Sequence, residues 1–132
     1  MTPMRTLSIA SLGLLAVAGV LLAQSHAITR TVVTRGDLAA DKEAVLAKVE
    51  IAPGGVVGWH THPGDEISYI NEGEATLMIA GQAERKVAAG QGFVIPAGTV
   101  HNARNEGTSA LKLTAVYVVR KGLPLASPAS AP

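Results

Sequence analysis

The chain contains no cysteine, and that absence removes disulfides, thiolate metal sites, cysteine nucleophiles and lipoprotein anchoring together. Aromatic residues are scarce, with one Trp, two Tyr and one Phe in 132 residues. A pocket for a large planar aromatic ligand therefore lacks the walls it would need. Neither sign of charge dominates: 11 Lys and Arg face 10 Asp and Glu, for a formal net charge of +1. Setting aside Arg5, which precedes the first apolar run, leaves the rest formally neutral. Its charges are scattered as on a solvated surface, and nucleic acid is not an expected partner. Long helical patterns are lacking too, because 14 Gly and 7 Pro punctuate short runs of Val, Ile, Leu and Thr. A hydrophobic fraction of 48% is enough for one packed core and no second domain. The expected class is all-β.

The first 27 residues read as a leader. One arginine, Arg5, precedes an apolar stretch from Leu7 to Ala23, and Ser25-His26-Ala27 offers small residues at the two positions a signal peptidase reads. Cleavage is expected after Ala27, leaving a domain over residues 28–121 and a flexible tail over 122–132. No twin-arginine pair is present, which points to the general secretory route and a periplasmic or secreted location. After cleavage no stable membrane association is expected. The competing reading is an uncleaved anchor, since this apolar stretch sits at the short limit for spanning a bilayer.

Beyond the leader, Val45 to Ile51 alternates Val45, Ala47, Val49 and Ile51 on one face with Leu46, Lys48 and Glu50 on the other, the pattern of a half-buried strand. Further strands are expected at Val56–His62, Glu66–Ile70, Ala75–Ile79, Arg85–Val87, Phe93–Ile95, His101–Arg104 and Leu111–Val119. Turns at Pro53-Gly54-Gly55, Asn71-Glu72-Gly73-Glu74, Ala80-Gly81-Gln82, Gly90-Gln91-Gly92 and Pro96-Ala97-Gly98 separate them. Many short strands at this spacing predict a sandwich or barrel. The tail after Gly122, rich in Pro, Ala and Ser, lacks strand periodicity and reads as flexible, the alternative being that its two leucines, Leu123 and Leu125, pack across the barrel.

Three histidines remain after the leader. His60 and His62, one residue apart on a strand, project to the same side. Glu66 follows past the Pro63-Gly64 turn and can return its carboxylate toward them, and His101 arrives from a distant segment. Three imidazoles and a carboxylate suit one divalent transition ion such as iron, manganese, nickel, copper or zinc, and leave open positions for water, dioxygen or a chelating ligand. A lone strand histidine is more often a surface or hydrogen-bonded residue than a ligand. What distinguishes these is the frame of glycines and a proline around them.

That frame resembles the cupin superfamily. The pattern G-x5-H-x-H-x3-E-x6-G is met by Gly54, His60, His62, Glu66 and Gly73. The pattern G-x5-P-x-G-x2-H-x3-N is met by Gly90, Pro96, Gly98, His101 and Asn105. The resemblance covers Val45 to Val119, and within it the stretch from His60 to Leu77 is similar to small bacterial single-domain cupins described as quercetin-dioxygenase-like. It implies a small antiparallel barrel, or double-stranded β-helix of jelly-roll type, with the metal held inside by His60, His62, Glu66 and His101. It also implies a homodimer, a state that would bury an edge strand of a small core. Trp59 and Tyr69 alternate away from His60 and Glu66 and are expected in core or dimer packing. Asn105 is expected to bond locally in a turn, and Met78 to lie in the core.

The resemblance does not select a reaction, because cupins include dioxygenases, isomerases, decarboxylases, lyases and non-catalytic binding proteins. Its quercetin-dioxygenase-like character implies oxygen-dependent cleavage of a small chelating enol, catechol or hydroxy acid, with Glu66 as the catalytic base. Tyr117 or a bound hydroxide could also move the proton. The competing expectation is a non-catalytic module that binds a metal or small ligand.

Overall fold

The computed structural model describes residues 27–132, and those residues form ten strands and no helix. One sheet has the order β1-β2-β9-β4-β7 and the other β10-β3-β8-β5-β6. In the first sheet β1 is Ile28–Asp37, β2 Lys42–Ile51, β4 Gly64–Glu72, β7 Gly92–Ile95 and β9 Leu111–Arg120. In the second, β3 is His60–Thr61, β5 Glu74–Ile79, β6 Arg85–Ala88, β8 His101–Arg104 and β10 Ser127–Pro128. All pairings are antiparallel. Of the sandwich or barrel that the strand and turn pattern left open, the result is the small antiparallel β-barrel implied by the family resemblance.

The core lies between the sheets and is built by alternation. Val45, Ala47, Val49 and Ile51 of β2 are buried, as are Leu111, Leu113, Ala115, Tyr117 and Val119 of β9. Ile70, Leu77, Val87, Phe93 and Ile95 complete one continuous cluster. Each fully buried Leu, Ile or Val stabilises the fold by about 1.5–3 kcal/mol.

Three segments differ from the sequence reading. β1, absent from that reading, pairs with β2 from Glu43 to Ile51, with a register shift between Val32 and Thr34. Most of its side chains are exposed, so it carries little of the apolar alternation that marks a strand. The expected strand Val56–His62 shrinks to His60–Thr61, with Val56 making an isolated bridge to Arg104. Gly58 interrupts it with φ of 90°, and its N–H is taken by the Asn102 side chain at 2.9 Å rather than by a ladder. The segment expected as a flexible tail runs back across the barrel: Ser127 and Pro128 pair with Thr61 and His60, and Leu125 packs against the core cluster.

The expected leader lies outside the described residues except for Ala27, whose carbonyl accepts from the Ala52 N–H at 2.9 Å. Among the described residues no helix is long and apolar enough to cross a membrane.

Candidate metal centre

The turns bring the candidate ligands together. His60 on β3 stands opposite His101 on β8 in the ladder, while Glu66 on β4 stands opposite Tyr117 on β9. One sheet thus supplies two imidazoles and the other the carboxylate. Gly98, with φ of 70°, takes a left-handed turn that a side chain would disfavour. Its N–H reaches the His62 carbonyl at 3.0 Å, tying the turn before His101 to the segment carrying His62. At Gly64, a Cβ would lie 1.9 Å from the Val118 carbonyl oxygen. Only glycine lets β4 start this close to β9 and return Glu66 toward the histidines.

The donor atoms of His60, His62, Glu66 and His101 all lie within 4.8 Å of one another. His62, Glu66 and His101 are buried, and His60 is partly exposed. The three rings form a cluster with centroid separations of 4.1–5.1 Å. His60 Nδ1 lies 2.8 Å from the Gly58 carbonyl, His62 Nδ1 2.6 Å from the Leu125 carbonyl and His101 Nδ1 2.9 Å from the Thr99 carbonyl. A carbonyl can only accept, so each Nδ1 carries the proton. Each neutral ring then turns its Nε2 lone pair toward the common centre, the arrangement that orients metal-binding histidines.

At that centre Glu66 Oε2 lies 2.9 Å from His62 Nε2 and 3.3 Å from His101 Nε2. The His62 contact is an ion pair only if that ring takes a second proton. As a neutral imidazole, His62 has a buried Nε2 with no hydrogen-bond partner among the described residues. Lone pairs from several imidazoles and a carboxylate converging at such distances repel one another unless a cation lies among them. The donors present therefore fit a divalent metal ion, and the orphaned Nε2 is the specific feature that an ion would satisfy.

Electrostatics agree with this picture. Burial disfavours the Glu66 carboxylate, yet the contacts from His101, His62 and Ser68 outweigh it and hold the carboxyl well below its usual range. Burial also lowers His60, to about 4, with the neighbouring imidazoles adding to the effect against the Gly58 bond. Glu66 and His60 are thus kept in the deprotonated forms that a metal requires. Burial pushes the Tyr117 hydroxyl up to about 12, assisted by the charge of Glu66, so it remains a protonated phenol.

Several residues at the site escaped sequence reasoning. Ser68 donates to Glu66 Oε1 at 2.6 Å, leaving Oε2 for the centre. Its position two residues along the same strand was the available signal. Leu125 acts through its carbonyl, a group every residue type possesses. Arg30, on the unanticipated β1, lines the cavity beside the cluster with His60, Glu66, His101, Tyr117 and Phe93. The cavity volume is about 30 Å³, room for one or two water molecules. Of the aromatics, Phe93 and Tyr117 face this space, whereas Tyr69 is half exposed on the outer face of its sheet and Trp59 is only partly buried. Of the two expected roles, core or dimer packing, β4 removes the core one for Tyr69 by turning that side of its pleat outward. Asn105 bonds in its turn as expected, and Met78 is buried.

Comparison with known proteins agrees with the motif reading. Residues 47–117 match the Cupin domain family. A germin-like protein, subfamily 2 member 2, of Arabidopsis thaliana is 34% identical over 77 residues, which are 54% of this chain and 35% of that protein. A solved structure of an oxalate oxidase superposes with a TM-score of 0.53 at 33% identity, covering 56% of this chain and 41% of that one. A double-stranded β-helix protein from Klebsiella pneumoniae, 22% identical with a TM-score of 0.63 and coverages of 81% and 83%, shares the fold. The chain spans about a third of the length of the curated relatives it matches.

Proposed function

Because this chain belongs to the Cupin domain family, we propose that it is an exported metal-binding monocupin, and that it works as a dioxygenase-like enzyme on a small chelating ligand. The observation that carries the reading is the set of three imidazoles pinned through Nδ1 to backbone carbonyls, with their Nε2 atoms and Glu66 Oε2 converging on one point. His60, His62, Glu66 and His101 would hold one divalent ion, of iron, manganese, nickel, copper or zinc. When bound, the ion would supply Lewis-acid polarisation of a chelating ligand and a common meeting point for that ligand and dioxygen.

The protein's own groups define the rest. Glu66, kept ionised and anchored through Oε1 by Ser68, presents Oε2 as the base for a ligand hydroxyl at the centre. Tyr117, protonated and in ring contact with His62 at 4.8 Å, is the neighbouring proton donor. The apolar lining from Val49, Ile51, Leu77, Phe93 and Leu113 limits water around the reacting atoms. The scarcity of aromatic side chains around the centre favours a small chelating enol, catechol or hydroxy acid over a flavonoid-sized molecule.

The test combines elemental analysis of the protein recovered from its native compartment with oxygen uptake by metal-loaded protein on enol, catechol and hydroxy-acid panels. One ion per chain and ligand-dependent uptake are expected. Metal binding without turnover, aerobic or anaerobic, would instead favour a non-catalytic binding module. Product formed in an anaerobic vessel would point to an isomerase or lyase. Export belongs to the same reading and is supported by the residue 1–27 pattern, so N-terminal sequencing of the mature protein should begin at Ile28.

A further inference from the structure

Arg30 has no role in the centre described above, and its surroundings are unusual for a strand arginine. It sits on β1 opposite Val49 of β2, with its side chain lining the cavity that His60, Glu66 and His101 also line. Its guanidinium carbon lies 5.7 Å from the centroid of the Tyr117 ring, and the group also reaches the Tyr117 hydroxyl closely enough to oppose the rise of its pKa. Arg35 and Arg104 have carboxylate partners in Glu43, Glu84 and Glu106. Arg30 makes no ion pair among the described residues, and its Nε is buried with no hydrogen-bond partner. Leaving such a donor unsatisfied next to an apolar wall costs free energy that a neutral side chain would avoid.

We propose that Arg30 is the anion-recognition residue of this cavity, and that the ligand the centre takes carries a carboxylate. The inference rests on the metal reading above and narrows its ligand class from enols, catechols and hydroxy acids to small carboxylic acids. Two features of the geometry converge. Arg30 offers a fork of donors matched to a carboxylate, its Nε buried without a partner, and it lines the same cavity as His60, Glu66 and His101. Charge balance points the same way: a divalent ion and Arg30 together exceed the single negative charge of Glu66, so the loaded cavity is electropositive and favours an anion.

The test uses the full mature chain loaded with cobalt(II), whose visible spectrum reports ligation, with glycolate and its uncharged amide glycolamide as probes. Wild type should bind glycolate at least tenfold more tightly than glycolamide. Arg30→Gln should weaken glycolate about tenfold or more while leaving glycolamide within about twofold, and Arg30→Lys should recover part of the loss. Cobalt stoichiometry and the thermal midpoint establish that each variant is folded and loaded. Cobalt-loaded protein that binds the two probes equally or binds neither overturns the assignment of Arg30 alone, as does Arg30→Gln with unchanged glycolate affinity. Failure of folded wild type to take up cobalt, or any of the candidate ions, overturns the metal reading and this one with it.

Discussion

Asn105 shows how much one buried polar side chain can hold. Its Nδ2 donates to the carbonyls of Ile51 at 3.0 Å and Ser109 at 2.8 Å, and its Oδ1 accepts from the Gly107 N–H at 2.9 Å. Because the site is nearly closed to solvent, Asn105→Ala strands these groups rather than handing them to water. A loss of about 3 kcal/mol in unfolding free energy is expected by denaturant titration. Ser68→Ala acts differently, since it frees Glu66 Oε1 without touching a histidine. If the metal reading holds, competition with a chelator should show affinity falling roughly ten- to a hundredfold with little change in thermal midpoint. The candidate ligand residues were legible because their spacing is a local property of strands and turns. Ser68 was less so, because a serine on a buried face has many ordinary uses.

Among the elements, β10 and the chain leading into it change the meaning of the C-terminus. Leu125, 63 residues from His62 in sequence, supplies the carbonyl that sets that ring's tautomer, and Pro128 pairs with His60. Truncation after Gly122 should therefore weaken metal binding roughly ten- to a hundredfold, measured by chelator competition, while leaving the β-sheet circular dichroism signal of the main barrel. On the opposite side, Glu106 joins β5, β6 and β8 by bonding Lys86, Thr76 at 2.6 Å and Arg104 at 2.8 Å. Those partners, Lys86 foremost, hold its carboxyl down to about 2 from an ordinary 4.5. A depressed acid stabilises the fold above its unfolded pKa and loses that contribution as pH falls through its folded pKa. Wild type should therefore lose stability between about pH 4.5 and 2, and Glu106→Gln should lose less across the same window. Denaturant midpoints at its two ends provide the check. The cluster is exposed, so added salt should shrink the difference. Strands β2 and β9 were legible from alternation, whereas β1 was hidden by its exposed faces and β3 was overestimated because Gly58 breaks the ladder.

For the whole molecule, the outer face of β4 and β7 leaves Ile67 at 49%, Tyr69 at 50% and Val94 at 57% exposure, side by side on an edge of the sheet. We propose that this patch is where two copies pair in the homodimer that the family resemblance implies. Sedimentation equilibrium should give twice the mature chain mass, and the double substitution Ile67→Lys with Val94→Lys should give the monomer with its metal content intact. A monomeric wild type would remove the dimer from the reading. The sequence by itself determined an all-β fold and, through its motif spacing, the cluster of His60, His62, Glu66 and His101, because period-two burial, glycine turns and histidine spacing are written in neighbouring residues. Tertiary structure alone decided which carbonyls orient the histidines, that the tail straps the site, and that Arg30 enters the cavity. Those depend on contacts between distant segments, and a backbone carbonyl or an unpaired arginine leaves no local pattern from which its partner can be read.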